Sequence, residues 1–133
     1  MPKLACEKSF FRPDLITVAY GTNNWSVSAK DSFKQDCMDF FNNIEKTYPD
    51  VPVFAIAPIW RADCMEKRKF GDFFQVAEII KDISLKCKNI TFINGVDFIP
   101  KNKEYFRDSY LHPNDEGFAF YTQSLIKEIE KYF

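Results

Sequence analysis

Three short apolar runs recur along this chain, and between them apolar residues return every three or four positions. The runs are Leu15–Tyr20, Val51–Ala57 and Asn89–Ile93. Each is short for a helix and rich in strand formers, so each reads as a strand covered on both faces. Pro52 must stand at the start of the second, where its missing N–H does least harm. From Lys30 to about Tyr48, Phe33, Cys37, Phe40, Phe41, Ile44 and Tyr48 make one helical stripe, ended by Pro49-Asp50. A second helix is expected from about Phe70 to Lys86, with Phe73, Val76, Ile79, Ile80 and Ile83 inward. A last helix follows His112-Pro113-Asn114, with Asn114 as N-cap and Phe118, Tyr121, Leu125, Ile129 and Phe133 as its buried stripe. Ahead of the first strand, Leu4, Ala5, Phe10 and Phe11 read as the last turns of an apolar helix that ends before Pro13.

Strands alternating with helices mean a mainly parallel sheet, right-handed crossovers and helices on both faces. The expected fold is α/β in three layers, with about three strands and four helices, as one domain spanning 1–133. A length of 133 residues with 46% hydrophobic residues is enough for a real core. With 18 basic and 19 acidic residues the formal charge is −1, which gives no electrostatic case for nucleic acid or an anionic membrane. The cluster Glu66-Lys67-Arg68-Lys69 reads as a solvated loop. No apolar run is long enough to span a bilayer. Cys6, Cys37, Cys64 and Cys87 form no Cys-x-x-Cys pair, so no zinc site is expected, and three of them read as buried thiols. Free thiols and the lack of a signal peptide point to a reducing, cytoplasmic compartment.

In a parallel sheet the loops after the strands open on one edge, where sites are placed. That edge carries Gly21–Trp25, Pro58–Cys64 and the segment ending at His112. Gly21-Thr22-Asn23-Asn24 reads as a polar turn ending the first strand, and such turns are commonly no more than that. His112 is the sole histidine. A lone histidine is commonly structural, but this one follows Asp108 and precedes the rigid Pro113 at a helix entrance. A carboxylate on one ring nitrogen fixes the tautomer and leaves the other nitrogen as a base.

Two blocks resemble those of the SGNH (GDSL-like) hydrolases. Gly21-Thr22-Asn23-Asn24 is similar to their Gly-x-Asn-Asp block. Asp108-Ser-Tyr-Leu-His112-Pro-Asn-Asp-Glu-Gly117-Phe118 resembles their final Asp-x-x-His block and the helix after it, and Pro58-Ile-Trp-Arg61 resembles a loop of some esterase-like proteins. The resemblance implies a flavodoxin-like three-layer fold and acyl-ester hydrolysis by a Ser-His-Asp mechanism, with no cofactor. It implies His112 as base, Asp108 as its orienting acid and Asn23 as oxyanion donor. Gly21, Asn24 and Arg61 stand as substrate-binding candidates. Arg61 would hold a polar or acidic group of the substrate, or else be a surface-loop arginine.

The sequence departs from that pattern at three places. No Gly-Asp-Ser occurs, so the nucleophile is unassigned, and the chain is expected to lack the strand that bears it. Asn24 stands where the family usually has Asp. Asp108 lies one residue farther from His112 than in Asp-x-x-His, which puts Ser109 at the usual acid position and leaves the choice between them open. Ser26, Ser28 and Cys64 lie near the same edge as substitute nucleophiles.

Three functional readings follow. The first is an esterase or acylhydrolase, catalytically incomplete in this chain. The second is a non-catalytic remnant of the fold that self-associates or binds a small ligand. A flavodoxin-like nucleotide or flavin binder is disfavoured, because no Gly-rich phosphate loop follows any strand. Without a neighbouring strand, Leu15–Tyr20 would be an open sheet edge, so a homodimer through that edge is expected.

Overall fold

The computed structural model describes residues 2–6 and 10–133. Three parallel strands, β1 (Ile16–Ala19), β2 (Val53–Ile56) and β3 (Ile90–Ile93), form a sheet in the order β1-β2-β3. Ile16 pairs with Val53, and Val53 with Ile90, so the strands start level. Four α-helices accompany them among the described residues: α1 (Thr22–Val27), α2 (Lys30–Thr47), α3 (Phe74–Ser84) and α4 (Asp115–Glu130). The sheet is open and α/β, as the alternating pattern requires.

Alternation along the strands sends side chains to two cores. On one face Val18, Tyr20, Val53, Ala55 and Ile90 meet Phe33, Phe41, Val76 and Ile80 from α2 and α3. Burial of each large side chain contributes about 2–3 kcal/mol. Tyr20 joins Phe33 and Phe40 at ring-centroid distances of 5.3 and 5.6 Å. On the other face Phe54, Ile56 and Ile93 meet Phe98, Ile99 and Phe106, with Tyr121, Leu125 and Ile129 of α4 packed against them. α4 reaches β2 and β3 but leaves the same face of β1 bare: Thr17 and Ala19 are exposed.

Several expectations shift. The helix expected ahead of Pro13 is a 3-10 turn, Pro2–Cys6, and Phe10 and Phe11 are exposed. Residues 7–9 of that expected helix lie outside the described residues. The polar turn at Asn23 is instead the short helix α1, so four helices are present but not the four expected. Phe118 (55% exposed), in the first turn of α4, and Phe133 (76%), beyond its end, leave the expected buried stripe. Cys37, Cys64 and Cys87 are buried, whereas Cys6 is exposed. Among the described residues no helix is long and apolar enough to cross a membrane.

Candidate active site

β1 ends at Gly21, whose φ of +104° suits glycine and turns the chain into α1. A Cβ there would lie 2.5 Å from Val76 Cγ1 and 3.3 Å from Phe33 Cζ. Gly21 is thus buried and acts through its backbone. Trp25, fully buried, anchors α1: its indole N–H donates to the Gly71 carbonyl at 2.9 Å, and its ring meets Phe73. Asn23 lies in the first turn of α1, is exposed, and its amide bonds to none of the described residues. Asn24 is half-buried and donates weakly to Ser28 Oγ at 3.4 Å.

The loop after β3 ends in Asp108 and His112, which meet. Asp108 Oδ2 lies 2.6 Å from Nδ1 of His112. Asp108 Oδ1 accepts the backbone N–H groups of Tyr110, Leu111 and His112 at 3.0, 2.8 and 3.1 Å. These donors, with the imidazole, hold the Asp108 carboxyl well below the usual carboxylate range. Ser109 adopts φ +57°, which absorbs the extra residue in the loop and turns Asp108 toward the ring. Asp108, not Ser109, is therefore the residue bonded to His112. A carboxylate on Nδ1 places the ring proton there and leaves Nε2 as a base. Nε2 has no hydrogen-bond partner among the described residues, and the ring is largely exposed. Asn114 caps α4 immediately beyond, accepting the Gly117 N–H at 2.9 Å.

Arg61 is not a surface residue. It is 2% exposed, and all five of its N–H groups are engaged. Nε and Nη2 fork onto Asp63 at 2.6 and 3.0 Å. Nη1 donates to the Thr22 carbonyl at 2.9 Å and to Thr22 Oγ1 at 3.3 Å, and Nη2 also meets the Tyr110 hydroxyl at 3.2 Å. Tyr110 in turn donates to Asp63 Oδ2, and Arg68 reaches the same oxygen at 2.7 Å. Burial pushes the Asp63 carboxyl up, but the bonds from Arg61, Tyr110 and Arg68 outweigh it and hold the group below its ordinary value. Arg61 therefore has no N–H left for a substrate. Arg68, expected in solvent, is half-buried, with its guanidinium carbon 4.9 Å from the Trp25 ring centroid. Asp63, Tyr110 and Arg68 were missed as network members; the Arg61-x-Asp63 spacing in a loop at the site edge was the available signal.

An open groove of about 340 Å³ lies between these segments, lined by Thr22, Ile56, Pro58, Ile59, Pro113 and Phe118 among others. Thr22 precedes Asn23, and Pro113 follows His112, so both site segments border one groove. Of the substitute nucleophiles, Ser26 is exposed on α1 and Ser28 caps it. Cys64 is buried, and burial pushes its thiol up, which leaves it a poor nucleophile. Among the described residues no group of three or more His, Cys, Asp or Glu could hold a metal ion.

No protein-family model matches the sequence, and no curated protein does. Solved structures do. A salicylyl-acyltransferase from a tetracycline biosynthetic pathway matches with a TM-score of 0.81 at 18% identity, over 98% of this chain and 41% of its own. A GDSL-like lipase from Bacteroides ovatus matches at 0.74 and 20%, over 98% of this chain and 38% of its own. A carbohydrate esterase of family 3 from Talaromyces cellulolyticus matches at 0.65 and 19%, over 91% of this chain and 61% of its own. The chain has the fold of the SGNH/GDSL-like hydrolases and carbohydrate esterases. It spans about two fifths of the length of the first of these neighbours.

Proposed function

We propose that this chain carries the base, the orienting acid and the oxyanion donor of an SGNH-type esterase or acylhydrolase. The nucleophilic serine comes from outside these 133 residues. The observation that carries the reading is the Asp108–His112 pair, 2.6 Å apart, on the sheet edge that also bears Asn23. In this reading Nε2 of His112 takes the proton of the attacking hydroxyl and returns it to the leaving alcohol. The Asn23 amide donates to the oxyanion that forms on the acyl carbon, worth about 3 kcal/mol in such sites. The largely apolar groove receives the acyl or aryl part of the ester.

The test is hydrolysis of a p-nitrophenyl ester by the wild type, His112→Ala, Asn23→Ala and Cys64→Ala, each alone and with a Gly-Asp-Ser strand segment of a GDSL-like hydrolase supplied. The reading expects no turnover from the chain alone and, once a segment bearing the nucleophilic serine is supplied, turnover that vanishes in His112→Ala. It falls roughly 100-fold in Asn23→Ala and is unchanged in Cys64→Ala. With that segment supplied, equal rates in wild type and His112→Ala would overturn it. Loss in Cys64→Ala would instead name that thiol as nucleophile.

A second reading, a non-catalytic domain that self-associates or binds a small ligand, is favoured by the unpartnered Nε2 and by β1 at the sheet edge. Absence of turnover in every variant even with the serine-bearing segment supplied would favour it. For this chain by itself we propose a twofold dimer through the strand edge Leu15–Tyr20.

A further inference from the structure

We propose that Arg61 is a positioning residue: with Asp63 and Tyr110 it locks the Asn23 helix and the Asp108–His112 loop into one unit. The inference rests on the roles given above to Asn23 and His112. A continuous chain of bonds links the two segments. Thr22, beside Asn23, accepts from Arg61 Nη1 through its carbonyl at 2.9 Å. Arg61 Nη2 meets the Tyr110 hydroxyl at 3.2 Å. The Tyr110 backbone N–H donates to Asp108 Oδ1 at 3.0 Å, and Asp108 Oδ2 holds His112 Nδ1 at 2.6 Å. A backbone bond from Ala62 N–H to the Tyr110 carbonyl at 3.0 Å closes the same joint from the loop after β2.

The chemistry of the link argues for positioning. A buried ion pair is no better for stability than well-packed apolar side chains of the same volume. What the Arg61 fork adds is direction: five N–H groups in one plane fix three segments at defined angles. Lysine in its place would keep the charge and lose the plane. Arg61 also lies over Trp25, with its guanidinium carbon 4.9 Å from the ring centroid, so α1 is held by both its first residue and its buried anchor.

The test is nuclear magnetic resonance on the 15N-labelled chain. His112 is the sole histidine, so its ring nitrogens are read without ambiguity. Tyr110→Phe removes one oxygen from the link, and Arg61→Lys removes the fork. In both, the amides of Leu111 and His112 should exchange roughly tenfold faster, while those of β2 change by less than about threefold. The Asn23 and Trp25 amide signals and the His112 Nδ1 signal should move together. Unchanged protection at 111–112 with an unmoved Nδ1 signal would overturn the proposal. So would equal acceleration throughout β2, the mark of a purely structural role. Should Arg61→Lys fail to fold, Tyr110→Phe decides alone. None of these readouts needs turnover, so a chain that stays inactive with the serine-bearing segment supplied would overturn the ester-hydrolysis reading and not this one.

Discussion

Asp108 holds Nδ1 of His112 at 2.6 Å across four positions of chain, because Ser109 between them takes the left-handed backbone at φ +57°. The extra residue does not break the pair; it lets the second carboxylate oxygen collect three backbone N–H groups. Asp108→Asn should therefore abolish the downfield Nδ1–H resonance of His112. Where turnover is present, it should lower kcat by about 10²–10⁴, since the amide permits the wrong tautomer. An unchanged Nδ1–H signal would contradict the pairing.

Gly21→Ala should cost about 3 kcal/mol, from a strained positive φ and a Cβ 2.5 Å from Val76 Cγ1. Denaturant melts give the number. A loss below about 0.5 kcal/mol would mean that the β1–α1 joint is looser than described.

Acid should unfold this protein through Asp63. Its folded carboxyl titrates below the ordinary value of 3.8, so between the two values the unfolded chain binds more protons and stability falls as pH falls. That contribution is fully present above the ordinary value and disappears as pH drops through the folded one. Asp63→Asn should flatten this acid limb. At neutral pH it should cost about 3–5 kcal/mol, because buried Arg61 is left without its counter-charge.

Alkali should act through the buried thiols. Burial pushes Cys37 and Cys87 up to about 12 from 9.0, and Tyr20 up to about 12 from 10.0. Above pH 9 the unfolded chain releases these protons first, so stability is lost as pH rises toward 12. Melts across that range, with thiol labelling of Cys37 and Cys87 only after unfolding, check it.

The proposed dimer has a specific disruptor. Ile16 and Tyr20 direct their N–H groups to the Pro52 and Ile56 carbonyls, at 3.0 and 3.3 Å, so the N–H of Thr17 faces the open edge. Thr17→Pro should leave the sheet intact and convert a sedimenting dimer to a monomer. A wild-type monomer at micromolar concentration would sink the edge-pairing proposal.

The sequence by itself determined the three strands, the helices α2, α3 and α4, the cap at Asn114, and the placing of Asn23 and His112 on one edge. Those features are periodic or local, and a period of two or of 3.6 is written in neighbouring residues. Only the tertiary structure decided that Asp108 and not Ser109 meets the imidazole, because that turns on one backbone angle. It alone decided that Arg61 is buried with every donor used, since Thr22 opens α1 and Tyr110 lies in the loop after β3, both far from Arg61 in sequence, and only Asp63 is local. It also decided that Phe118 and Phe133 stay exposed: a helical stripe states which residues could be buried, and the neighbouring layer states which are.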